Sequence, residues 1–229
     1  MKAQKFYQKA IKIIFLSALI IFVSIPEVTK AAETYNMGIV YIGSRVKYTN
    51  IDEYTAFEEG DKNPLDHAQE LFHEIILNSD LRNIGLVGVE STEYSKMARN
   101  AEVEFQKVQE ELRKSVAQLD KGNTSEVVKL FDKKLDYLIY GYINNITVSH
   151  RESFGDSNSI VSIDLSVRIV DALTGKIVCV ATGEGSAPNH DKSYKKAFRF
   201  ENKPVEIESF QAAFTKAMNK VVEKIKKQA

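Results

Sequence analysis

The side chains that could do chemistry in this sequence are few, and their spacing argues against most of it. His73-Glu74 begins like a zinc-protease motif, in which two histidines one helical turn apart bind the metal and the glutamate activates water. The second histidine position is held by Leu77. His67 lies six residues before His73, off the same helical face, and His150 and His190 fall in polar stretches. The histidines therefore read as surface residues with no metal-ligand set among them. Gly183-Glu184-Gly185 has the look of a phosphate loop. It lacks the following glycine and the helix that would receive the anion. No G-x-S-x-G elbow is present, and Gly43-Ser44 and Gly185-Ser186 lack its surroundings. Cys179, in an alternating segment, reads as a core or sheet residue. The acids between Asp52 and Asp61 do not follow calcium-loop spacing and read as a solvated loop. Asn123-Thr124-Ser125 and Asn145-Ile146-Thr147 are glycosylation sequons, of consequence only in a eukaryotic host. The expectation is a protein with no catalytic, cofactor-binding or metal-binding residues, and so not an enzyme.

Aromatic residues offer contact chemistry instead. Tyr48, Tyr54 and Phe57 sit in an early acidic segment, and Tyr137, Tyr140 and Tyr142 cluster in a later apolar one. Tyrosine suits interfaces because one end is apolar and the other hydrogen-bonds. Tyr48, Tyr54, Phe57, Tyr140 and Tyr142 are accordingly the candidate partner contacts. Strand alternation sets Tyr140 and Tyr142 on one face with Leu138, a face that serves either as core or as contact surface.

The elements that carry these residues follow from periodicity. Met37 to Ile42 reads as a strand. Ala68, Leu71, Phe72, Ile75 and Ile76 make one helix face behind Pro64, and Ile84 to Val89 is a short buried strand. Ala98, Ala101, Phe105, Val108, Leu112 and Val116 predict one long amphipathic helix over 94–119. Lys121-Gly122-Asn123 ends it, and a short helix begins at Thr124. Asp136 to Ser149 is β-rich. Val161, Ile163, Leu165, Val167 and Ile169 alternate strictly with polar residues, as a half-buried strand requires. Asp171 to Lys176 supplies a turn with Gly175 placed for a positive φ, and Ile177 to Gly183 returns as a hairpin partner. After a polar stretch from Ser186 to Pro204, the stripe Phe210, Ala213, Phe214, Ala217, Val221 and Ile225 predicts a closing helix. The order β-α-β-α-β-β-β-α implies an α/β fold, a single mixed β-sheet packed by helices.

The amino terminus reads as an address. Lys2, Lys5, Lys9 and Lys12 precede an uncharged run from Ile13 to Ile25, broken by Pro26, with Ala31 and Ala32 as small residues for cleavage. That run is short of the roughly 20 residues a spanning helix needs. Residues 1–32 are therefore expected to be a signal peptide cut after Ala31 or Ala32, with a retained anchor as the alternative, and 33–229 a single domain. No cysteine follows the run to accept a lipid. The 31 basic and 31 acidic residues cancel, but residues 33–229 hold 26 and 30, a net charge of −4. Such a domain has no overall attraction to nucleic acid or anionic lipid. It is expected to meet a membrane only through the signal segment before cleavage. One cysteine forbids an intrachain disulfide and suits an oxidising compartment.

One block carries a family resemblance. L-D-Y-L-I-Y-G-Y-I, from Leu135 to Ile143, resembles the G-A-D-Y-L-V-x-G-x-I strand of the CsgG-like family, the curli secretion and assembly group. V-R-I-V-D-A-L-T-G-K-I-V-C-V-A-T-G-E-G-S-A, from Val167 to Ala187, is similar to that family's L-R-L-V-D-x-x-T-G-x-I…G-x-G hairpin. The resemblance extends over most of residues 36–228, and the 136–187 block is its specific part. Related folds occur in the amino-terminal domain of TolB and in LpoB-type activators of peptidoglycan synthases. The resemblance implies a CsgG-like or TolB-N-like envelope domain, in the periplasm or at the outer membrane, working through protein contacts without catalysis or cofactor. The curli channel itself uses long membrane-crossing hairpins of alternating apolar residues. Here H-R-E-S-F-G-D-S-N, between Ser149 and Ser159, reads as a polar loop, and the segment from Ala187 to Pro204 is charged throughout. The expected function is an exported accessory protein in envelope assembly or secretion. The alternative is a periplasmic regulator docking on a peptidoglycan-synthesis enzyme; a secretion-channel subunit and a hydrolase fit less well. The partner is expected to be an envelope protein, and homo-oligomerisation stays open.

Overall fold

The computed structural model describes residues 33–45, 64–99, 105–153, 156–189 and 207–228, and Thr34–Ala229 forms one compact unit. Five strands make one mixed sheet: β1 (Tyr35–Ser44), β2 (Leu86–Glu90), β3 (Tyr137–Ser153), β4 (Asp156–Asp171) and β5 (Ile177–Asn189), in the order β2-β1-β3-β4-β5. β1 runs parallel to both β2 and β3, which the chain reaches by helical crossovers, and β3, β4 and β5 form an antiparallel meander. The helices are α1 (Pro64–Asn78), α2 (Thr92–Arg99), α3 (Phe105–Leu119), the single turn α4 (Ser125–Val128) and α5 (Ile207–Gln228), with a 3-10 turn over Asp80–Ile84.

Each sheet face has its own core. On one, α1 and α5 lay Phe72, Phe210, Phe214 and Met218 over Ile39, Ile139 and the alternating residues Val161 to Ile169 of β4. On the other, Val108, Leu112, Val116 and Leu119 of α3 cover Val40, Tyr41, Leu138, Tyr140 and Tyr142. β1 is buried on both faces, so it reads as a continuous apolar run where β4 alternates.

Gly183 and Gly185 belong to this packing and not to an anion site. A Cβ on Gly183 would stand 2.0 Å from the Ala217 carbonyl oxygen, and one on Gly185 2.0 Å from that of Ala213. The small residues of β5 and α5 thus let helix backbone rest on strand backbone. Gly175 takes φ 70°, as the turn demands.

The helix foreseen over 94–119 is described in two stretches, α2 and α3, with 100–104 outside the described residues. Two expectations change. The polar loop foreseen between Ser149 and Ser159 is largely strand, paired from Ser149↔Ile160 to Ser153↔Asp156. β5 likewise runs on to Asn189. These extensions pass beyond β1, whose pairing with β3 stops at Ser44↔Ile143. With backbone pairing satisfied and β1 no longer alongside, their sequence shows no apolar alternation from which to read them.

Candidate functional site

A polar cluster forms where three elements end on the α3 side of the sheet. α3 finishes at Leu119 and delivers Asp120, β1 runs out into Arg45, and β4 places Arg168 directly opposite Tyr140 of β3. The Asp120 carboxylate gathers four donors. Arg168 Nη1 lies at 2.9 Å, Arg45 Nη2 at 3.3 Å and the Tyr140 hydroxyl at 3.2 Å, and the Tyr142 hydroxyl donates to its Oδ2. The Arg45 guanidinium also lies 3.6 Å over the Tyr142 ring, and the two tyrosine rings meet edge to face. Burial, and then the hydrogen bond to Asp120, push the Tyr142 hydroxyl up to about 12. Burial also raises that of Tyr140. Both phenols stay protonated donors, and two arginines share one carboxylate on a partly exposed rim.

Of the aromatic residues expected as contacts, the structure describes Tyr140 and Tyr142. Tyr140 is fully buried and Tyr142 nearly so, because their rings are the floor under α3. Tyr48, Tyr54 and Phe57 lie outside the described residues. The groups that reach solvent here are Arg45, Asp120 and Arg168, none of them singled out in the sequence; only the cross-strand register reveals Arg168 beside Tyr140.

Next to the cluster no described element covers the sheet. Among the described residues α2 and α3 cover β1 and β3, whereas the outward positions of β4 are half buried and those of β5 exposed. They form cross-strand rows Arg168–Val180, Ser166–Thr182, Asp164–Glu184 and Ser162–Ser186. Ser162 and Ser186 hydroxyls bond at 2.9 Å. Asp164 and Glu184 place like charges directly opposite each other, an arrangement that lowers stability by itself.

His73 corrects the reading of the histidines as surface residues, since it is buried. Its ring stacks on Tyr94 at 3.8 Å, with Nδ1 3.7 Å from Glu90 Oε1. Burial lowers its pKa, against the opposing pull of the Glu90 carboxylate and the Val40 backbone. Four residues earlier on α1, buried Gln69 accepts from the Ile42 N–H at 2.9 Å and donates to the Val40 carbonyl at 3.3 Å. Cys179 is half buried, with Sγ 3.1 Å from Gln228 Oε1, and burial raises its thiol pKa, which suppresses the reactive thiolate. Among the described residues no three of His, Cys, Asp and Glu stand close enough to share a metal, and no helix is long and apolar enough to cross a membrane.

No protein-family profile matches the chain, and no curated protein matches its sequence. Solved structures do. The hypothetical protein CT253 from Chlamydia trachomatis is 11% identical with a TM-score of 0.44, covering 84% of this chain and 98% of that one. Lipoprotein GNA1162 from Neisseria meningitidis is 12% identical with a TM-score of 0.39, covering 69% and 88%. The LpoB C-terminal domain from Salmonella enterica is 12% identical with a TM-score of 0.33, covering 68% and 85%.

Proposed function

We propose that this chain is an exported, non-catalytic accessory protein of the bacterial cell envelope, which acts by docking the open face of β4 and β5 on another envelope protein. The observation that carries the reading is the rim of that face. Arg45 and Arg168 are fixed by one carboxylate and a tyrosine ring, so they meet a partner with little rotamer freedom left to lose. The opposed pair Asp164 and Glu184 adds a place for a cationic group, which would relieve their repulsion. The basic and acidic ends give the face a polarity that a partner must match in orientation.

The partner class to test first is a peptidoglycan-synthesis enzyme, with the protein as its periplasmic regulator. An assembly or secretion role is supported separately by the CsgG-like hairpin motif from Val167 to Ala187. A photo-crosslinking residue at Ser166 or Thr182 should trap a discrete envelope protein in living cells, while one at Glu111, on the exposed side of α3, should not. Arg168→Glu should weaken that adduct, and the trapped enzyme, purified, should change rate when the protein is added. The same adduct pattern from all three positions would sink the docking-face reading.

A further inference from the structure

The rim and the face beside it carry charges of opposite sign that the described residues leave unmatched. Asp120 is already saturated: Oδ1 accepts from Arg168 and Tyr140, and Oδ2 from Arg45 and Tyr142. Each guanidinium gives one nitrogen to that carboxylate and, among the described residues, meets no other. Two arginines and one aspartate leave the rim with one positive charge. The Arg45 side chain is 42% exposed and that of Arg168 26%. Four residues along β4, on the same side of the strand, Asp164 stands opposite Glu184 of β5. No lysine or arginine pairs with either acid among the described residues. The two ends lie about 13 Å apart, at about 3.3 Å per residue. That exceeds a Debye length of about 8 Å, so they do not neutralise each other. The row between them is Ser166 and Thr182, and the row beyond is Ser162 and Ser186. The floor is therefore low and lined with hydroxyls.

We infer that this face takes an extended segment of the partner that carries one carboxylate side chain, held by Arg45 and Arg168, and one basic side chain about 13 Å away, held by Asp164 and Glu184. The inference rests on the docking-face reading and names the chemistry that the partner must present. Two planar guanidiniums suit the paired oxygens of an aspartate or glutamate. One such group brings the rim to neutrality, and the basic group relieves the repulsion between β4 and β5. A polyanion fits neither end, because its next negative charge would run onto Asp164 and Glu184. The hydroxyl floor decides the form of the segment. A helix satisfies its own backbone and would bring an apolar stripe, which this floor does not match. An extended chain has backbone N–H and C=O groups to satisfy, and the serines and Thr182 can meet them. In such a chain an acid and a base four residues apart match the spacing of Arg168 and Asp164.

The test is a titration of the purified protein, followed by NMR through the Nε–Hε signals of Arg45 and Arg168. The probes are capped glycine-serine peptides with a glutamate and a lysine four residues apart, in either order. Both signals should shift saturably, and added salt should weaken the binding. Glutamine in place of the glutamate should raise Kd about tenfold, and moving the two charges to adjacent positions about threefold. Asp164→Asn with Glu184→Gln should abolish the preference for spacing. That variant loses a like-charge pair, so its thermal midpoint should equal or exceed the parent's, which separates lost binding from lost fold. Arg168→Lys keeps the charge without the planar fork and should still weaken binding about threefold. Equal binding of the glutamate and glutamine peptides, or a spacing preference that survives in the neutralised variant, would overturn the inference. So would inorganic phosphate shifting both arginine signals at lower concentration than the peptide, which would assign the pair to a phosphate group. No envelope protein is present, so failure here is distinct from failure of the crosslinking. Adducts at Ser166 without peptide binding would keep the docking face and remove the chemistry assigned to it.

Discussion

Two buried polar side chains of α1 show how single residues hold this fold and where it is vulnerable. His73 has no room to carry a charge. Because burial holds the folded imidazole below its ordinary 6.5, the unfolded chain takes up the proton first. The stability tied to His73 is therefore fully present above pH 6.5 and declines as pH falls toward the folded value, by up to about 1.4 kcal/mol per pH unit. Urea unfolding between about pH 7.5 and 5.5 should display that slope, and His73→Phe, which keeps a ring against Tyr94, should remove it. A slope unaltered in the variant would clear His73 of the role. Gln69 acts differently. β2 stops at Glu90, opposite Ile39, and the Gln69 amide then stands where the next strand residue would pair with Val40 and Ile42. Gln69→Leu keeps the size and strands two buried backbone groups, at a cost of about 2–4 kcal/mol in denaturant unfolding. Neither role was legible in the sequence. A histidine and a glutamine on an amphipathic helix look like its polar side, and only the early end of β2 makes their positions interior.

At the scale of elements, legibility tracked burial. β4 could be read residue by residue because one of its faces is core and the other is not. The stripe from Phe210 to Ile225 predicted α5, and the turn chemistry around Gly175 was met. The distal parts of β3, β4 and β5 left no such trace, since their pairing is made by backbone groups common to every residue. The small residues of β5 misled in another way. Glycines that resemble a phosphate loop were there to admit a helix. A direct comparison separates the two kinds of glycine. Gly185→Ala drives a methyl into the Ala213 carbonyl and should cost about 2 kcal/mol or more, seen as a lower unfolding midpoint. In Gly43→Ala the nearest atoms, on the Tyr142 ring, are 3.5 Å away, so the change should be neutral or add up to about 1 kcal/mol. If both substitutions cost the same, close approach is not what Gly185 provides.

For the whole molecule, the close seating of α5 on β5 has a consequence that concerns time. Met37 pairs with Tyr137 a hundred residues away, and the larger core lacks a wall until α5, encoded after all five strands, has been made. Contacts this distant in sequence form slowly. A chain made from its amino terminus therefore cannot close this core until its final helix emerges, and the architecture itself postpones folding to the end of synthesis.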